Sequence, residues 1–100
     1  MREYRRHLHA NPELSFKEKE TSKYIAQRLE KEGIAFEDGW VETGIVATIE
    51  GKNPGKKTTM LRADIDALPI TELNEVPYKS KNQGVMHACG HDVHTSSMLG

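Results

Sequence analysis

Eight consecutive residues, His87 to His94, hold three histidines, the chain's one cysteine and an aspartate, within the stretch MHACGHDVHTSSMLG. Side chains that charge or coordinate so readily are costly to enclose unless they meet one another, a cation or hydrogen-bond partners. Any fold of this chain must therefore deliver such partners to this stretch. Read as an extended segment, His87, Cys89 and His91 occupy alternate positions and share one strand face. Gly90 lets the backbone bend so that Cys89 and His91 can converge, and thiolate with neutral imidazole is the donor set preferred by zinc and its borderline neighbours. His94, three residues past His91, returns to the same side if the chain turns helical there. Spacing alone leaves other readings open. Histidines also serve in structural hydrogen bonds, and Cys89 has the chemistry of a nucleophile with histidine as its base. The nucleophile reading ranks lower, because neighbours two apart on a strand rarely meet in the required orientation.

The rest of the chain narrows the setting. One hundred residues, 36% of them hydrophobic, support one modest core and no more. Lys and Arg total 14 against 15 Asp and Glu, a net charge of -1, which excludes the field of a nucleic-acid or membrane-surface binder. Small molecules or protein are the expected partners. No apolar run approaches the length of a membrane span, and the basic start MREYRRHLH lacks the hydrophobic stretch of a secretory signal, so the cytoplasm is the expected compartment. A single cysteine cannot close an internal disulfide.

With no repeat, low-complexity tract or charge block, the pattern is one continuous α/β unit in which helices precede strands. Residues 2 to 9 form a short basic helix that stops at Asn11-Pro12. Ser15 and Glu18 have capping-box spacing and open a second helix, whose stripe of Thr21, Tyr24, Ile25 and Leu29 faces the core and which ends at Gly33. IAFEDGWVETG reads as a short strand and loop, with Phe36 and Trp40 as packing residues. IVATIEG is a half-buried strand placing Ile45, Ala47 and Ile49 on one face. The turn NPGK then returns the chain as a second strand in KTTMLRADIDALP, closing a hairpin. Residues 71 to 85 read as loop, and TSSMLG starts a further helix.

Two other clusters carry charge. In RADIDALP, Asp64 and Asp66 share one strand face. They either face solvent, with Arg62 pairing one of them, or are enclosed against a metal, a histidine or a substrate cation. In RRHLHANPEL, His7 and His9 suit hydrogen bonds that fix the helix end, Arg5 and Arg6 are solvated or paired, and Glu13 is placed to cap the next helix. No chemistry is assigned to them.

In this order and spacing, RRHLHANPELSFKEKET, TGIVATIEG, RADIDALPI and MHACGHDVHTSSMLG resemble the amino-terminal part of the amidohydrolase branch of the zinc-carboxypeptidase and aminoacylase metallopeptidases. That branch includes hippurate hydrolases, N-acyl-amino-acid amidohydrolases, N-acetyldiaminopimelate deacetylases and hydrolases of indoleacetyl-amino acids. The resemblance covers essentially the whole chain, and MHACGHDVH is its most specific element. It implies a partial metallopeptidase catalytic domain, with helices packed on a mixed sheet that contains a hairpin and is incomplete in this segment. Residues 1–100 would be the amino-terminal portion of a single catalytic domain, without the remainder of that domain or the lid and dimerisation domain. It also implies that Cys89 and His91 ligate a centre of two divalent ions, zinc or manganese, with nickel and cobalt as alternatives.

Sister enzymes carry an H-x-D strand where this chain reads Asp64-Ile65-Asp66, so the metal-binding histidine of that strand is replaced here. Alignment on the following ALP makes Asp66 the carboxylate that orients a ligand, with Asp64 as the alternative, and these two are the candidate catalytic residues. His87, Asp92 and His94 become candidates for supporting or substrate-side roles. The implied reaction is hydrolysis of the amide bond of N-acyl amino acids or related small amides by metal-activated water, in a whole protein that can form a homodimer. The general base and further ligands of the relatives follow the CGHD motif and are not among these residues, so the segment alone is expected to be inactive. The competing expectation is a small non-catalytic metal-binding or partner-binding domain with a closed site built from His87, Cys89, His91 and Asp64.

Overall fold

A computed structural model describes residues 1–100. Helix α1, Arg2–Ala10, buries Leu8, His9 and Ala10 and ends where the Asn11 side chain and backbone N-H both turn back to the His7 carbonyl. Pro12 follows and is enclosed. Helix α2, Lys19–Lys31, buries Thr21, Tyr24, Ile25 and Leu29, the stripe expected from three- and four-residue spacing. Its end is a Schellman motif. Gly33 takes φ 70°, its N-H donates to Glu30, and the N-H of Ile34 donates to Leu29.

The start of α2 departs from the capping box. Glu18 does not reach back to Ser15; its carboxylate accepts the Phe16 N-H at 3.0 Å and, buried, the Thr43 hydroxyl at 2.8 Å. Phe16 lies at φ 63°, which redirects the chain before the helix begins. The free N-H groups of the first turn are taken instead by Glu13. Its carboxylate accepts the Glu20 N-H at 3.2 Å, the Thr21 N-H at 2.6 Å and the Thr21 hydroxyl at 2.7 Å. A carboxylate at that end also complements the helix dipole.

Strands β1, Ala35–Trp40, and β2, Gly44–Thr48, pair antiparallel, from Ala35 opposite Thr48 to Trp40 opposite Gly44. The hairpin therefore closes one turn earlier than NPGK, through Val41 and Glu42, both at positive φ. A three-residue connection closes with less entropy loss than the longer one around Pro54. Residues 50 to 66 run without a ladder, and Met60 and Leu61 stand exposed, as do Ala47 and, just past β2, Ile49, so the face expected to be half buried is covered only at Ile45. Trp40 is also half exposed rather than packed.

Short bridges bring the two charged motifs together. The Ala67 N-H donates to the Glu13 carbonyl at 2.7 Å, and Leu68 and Met86 exchange both backbone hydrogen bonds at 3.0 Å. Helix α3, His91–Leu99, packs against α1. It begins four residues before the expected Thr95, and the extended reading of His87 to His91 gives way to a bend. Gly90, at φ 89°, breaks the strand direction, and its carbonyl accepts the N-H groups of Val93 and His94 to start the helix. No helix is long and apolar enough to cross a membrane.

Candidate metal centre

His91 is the first residue of α3, and the bridge at Leu68 and Met86 sets the RADIDALP segment beside it. Its Nδ1 lies 2.9 Å from the Asp66 Oδ1 and 2.9 Å from the Asp66 carbonyl oxygen. Both oxygens can only accept from it, so Nδ1 carries the proton and donates. In the neutral ring that leaves Nε2 with its lone pair, the arrangement in which a carboxylate fixes both tautomer and ring orientation of a metal-binding histidine. The ring keeps 22% of its surface open. Two residues earlier Cys89 is an exposed free thiol. The His94 ring is one turn on, with its centroid 5.9 Å from that of His91.

Asp64 is placed differently. Arg62 donates to its Oδ1 from Nε at 3.0 Å and from Nη2 at 2.8 Å, an exposed pair whose hydrogen bonds hold the Asp64 carboxyl below its ordinary range. Its backbone carbonyl accepts the Thr95 hydroxyl at 3.0 Å, which pins this segment to α3. Only Asp66 of the two reaches the imidazole.

His87 lies at 5% exposure with both ring nitrogens enclosed and unpartnered. Burial pushes its pKa down, only partly countered by the nearby Asp92 charge, so the ring is neutral at pH 7. An enclosed donor and acceptor without partners cost about 1–3 kcal/mol each. Asp92, at 1% exposure, is committed on all sides. It accepts Arg5 Nε at 3.0 Å and His9 Nδ1 at 2.8 Å on Oδ2, and the Val93 N-H at 3.0 Å on Oδ1. A substrate-side role for Asp92 does not survive that enclosure.

Chemically, the arrangement offers one soft anionic donor and one imidazole whose orientation is fixed. That donor set fits a divalent cation as part of its shell. No group of three or more His, Cys, Asp or Glu side chains gathers to complete the shell. The closed site of His87, Cys89, His91 and Asp64 is therefore not assembled, since His87 is walled in and Asp64 turned to Arg62.

Comparison with known proteins places this geometry. The sequence profile described as Peptidase family M20/M25/M40 matches residues 60–100, the segment that carries Asp66, Cys89 and His91. Thermostable carboxypeptidase 2 of Saccharolobus solfataricus is 55% identical over 97 residues, 96% of this chain and 24% of its own length. The fold agrees as well: the crystal structure of the Bacillus subtilis YXEP protein, described as a dinuclear metal-binding peptidase from the M20 family, superposes with a TM-score of 0.91. The two are 50% identical, over 97% of this chain and 27% of that one. The chain belongs to the M20 family. A further M20-like relative, N-acetyl-L-cysteine deacetylase of Bacillus subtilis, is 51% identical over 96% of this chain and 23% of its own length. The chain thus spans about a quarter of the length of the curated relatives it matches. Across residues 1–100 the fold is a partial α/β domain of three helices and a two-stranded antiparallel hairpin, of which α3 lies within the matched residues 60–100.

The buried partners of Asp92 carry little local sequence signal. His9 donates on its other side toward Glu72, with Nε2 2.9 Å from Oε1, and Glu72 also accepts the Ser80 N-H at 2.6 Å. Burial alone would raise the Glu72 carboxyl, but the Ser80 N-H and His9 outweigh it and hold the group below its ordinary value of 4.5. A lowered folded value adds stability that is complete above 4.5 and disappears as pH falls through the folded value. Glu72→Gln is expected to lower the thermal midpoint at pH 7 and to flatten its decline below pH 4.5, as read by melting curves across that range.

Proposed function

We propose that these residues are the amino-terminal portion of the catalytic domain of a metal-dependent amidohydrolase. Its substrates are small N-acyl amino acids or peptide-like amides. The observation that supports this most directly is the Asp66–His91 contact at 2.9 Å, which frees Nε2 of an imidazole two residues from an exposed thiol. Cys89 as thiolate and His91 through Nε2 would hold one or both ions of a divalent pair, zinc or manganese. Bound there, such a pair supplies Lewis acidity toward the scissile carbonyl and toward water. Asp66 keeps the His91 ring in one tautomer and one orientation, so its role is positional. Neither aspartate is free to carry a proton between water and the leaving amine. Asp66 is engaged by His91 and Asp64 by Arg62, and the general base comes from the remainder of the protein.

The name of the similar deacetylase from Bacillus subtilis supports an N-acyl amino acid as substrate, and that of the YXEP protein supports a pair of metal ions. The cytoplasm suits this reading, because a metal-binding thiolate must stay reduced. The test is release of free amino acid from N-acetyl-amino acids by the whole protein. Chelation should abolish the release and added zinc or manganese restore it, while residues 1–100 alone should release nothing. Turnover indifferent to chelation would overturn the proposal.

A further inference from the structure

The Glu72–His9–Asp92 chain is the most enclosed polar feature of the molecule, and the reaction proposed above makes no use of it. The His9 side chain is 5% exposed, and those of Glu72 and Asp92 are 1% each. Asp92 also accepts Arg5 Nε-H and the Val93 N-H, and Glu72 the Ser80 N-H and the Asn74 amide, so each carboxylate is held in place independently of the ring. The two His9 nitrogens lie 2.8 and 2.9 Å from those carboxylates. The imidazole between them joins three elements: α1, the segment from Glu72 to Ser80, and the first turn of α3. Asp92 is the residue after His91, and its Oδ1 shares the Val93 N-H with the Gly90 carbonyl in the first turn of α3. Fixing Asp92 therefore fixes the turn from which His91 projects.

We propose that His9 is a positioning residue of the metal centre, acting through Asp92 on the helical turn that carries His91. This rests on the reading of Cys89 and His91 as ligands. Partners beyond the ligands typically change metal affinity by about 10–100-fold when lost. The Glu72 arm closes the loop behind the ring, and the Asp92 arm transmits to the centre.

Two near-isosteres separate the arms. In His9→Asn the amide nitrogen takes the place of Nδ1 and keeps the Asp92 bond; in His9→Gln it takes the place of Nε2 and keeps the Glu72 bond. Zinc affinity of the whole protein, measured by competition with a chromophoric chelator, should fall about 10–100-fold in His9→Gln and stay near that of the unsubstituted protein in His9→Asn. Equal affinities in the two variants, whether both retained or both lost, would reduce His9 to a structural role and overturn the proposal. If neither variant folds, the unsubstituted protein decides, by NMR of labelled histidine rings. The His9 Nδ1 resonance should move when zinc enters the metal-free protein. A resonance that zinc leaves in place overturns the proposal. Cys89→Ala with His91→Ala is the separate control. Loss of zinc there with no Asn–Gln difference removes only the role of His9, whereas retained zinc removes the ligand reading and the His9 proposal with it.

Discussion

Replacing both Cys89 and His91 by alanine is expected to take at least one metal ion from the whole protein and to lower kcat by more than about 10³-fold, with the folded structure kept. The thiol is exposed and the imidazole partly so, and neither side chain is among the enclosed groups of the core. Their removal therefore leaves packing largely intact, as surface substitutions generally do. What disappears is up to half of a four-ligand shell. Metal content by elemental analysis and turnover on an N-acetyl-amino acid, read on the same preparation, check it. Single variants should be graded. Asp66→Ala, which keeps both ligands and removes the carboxylate from Nδ1 while leaving the Asp66 backbone carbonyl there, should weaken binding toward the lower end of about 10–100-fold. Full occupancy in the double variant would mean that the centre is built elsewhere.

Asp92→Ala is expected to be the most destabilising single substitution in this segment, at about 3–5 kcal/mol. The carboxylate is 1% exposed, and its loss strands His9 Nδ1 inside the protein while Glu72 still holds the other nitrogen. Arg5, whose side chain is 36% exposed, can turn to water, which puts the loss toward the lower end of that range. Asp92→Asn keeps the shape and one acceptor and should fall between. Chemical unfolding followed by helix signal measures the series. A midpoint for Asp92→Ala equal to that of the unsubstituted protein would show that the network contributes nothing.

The stripe of α2 was legible because helical periodicity is a local property, and so was its end, where Gly33 alone could supply a left-handed cap. Glu13 as a cap was legible too, being a carboxylate just ahead of a helix start. Errors arose where a residue spends its side chain on a distant partner. Glu18 has the spacing of a capping box with Ser15, yet serves Thr43, which lies in a turn 25 positions on. Pro-Gly in NPGK is the stronger turn signal in the sequence, whereas Val41 and Glu42, which make the turn at positive φ, carry no such signal in their identities.

The candidate site shows the same division. Cys89 and His91 stand out by composition, and Asp66 could be separated from Asp64 only by alignment on the following ALP. Its contact with His91 depends on a bridge between Leu68 and Met86 that no local pattern announces. His9, Glu72 and Asp92 were the least visible, as their separations of 63 and 83 positions carry no periodicity. The one weak signal was a histidine between Leu8 and Ala10, on the helix face that turned out to be enclosed.

The clasp between Arg5, His9 and Asp92 makes the first ten residues and the last ten a single mechanical unit. Trimming by a protease, or a fusion partner that prevents Arg2–Ala10 from winding, would be felt more than eighty positions downstream, at the root of α3. A leading helix that looks expendable in a sequence listing is, in this architecture, the keystone against which the ligand-bearing turn is braced.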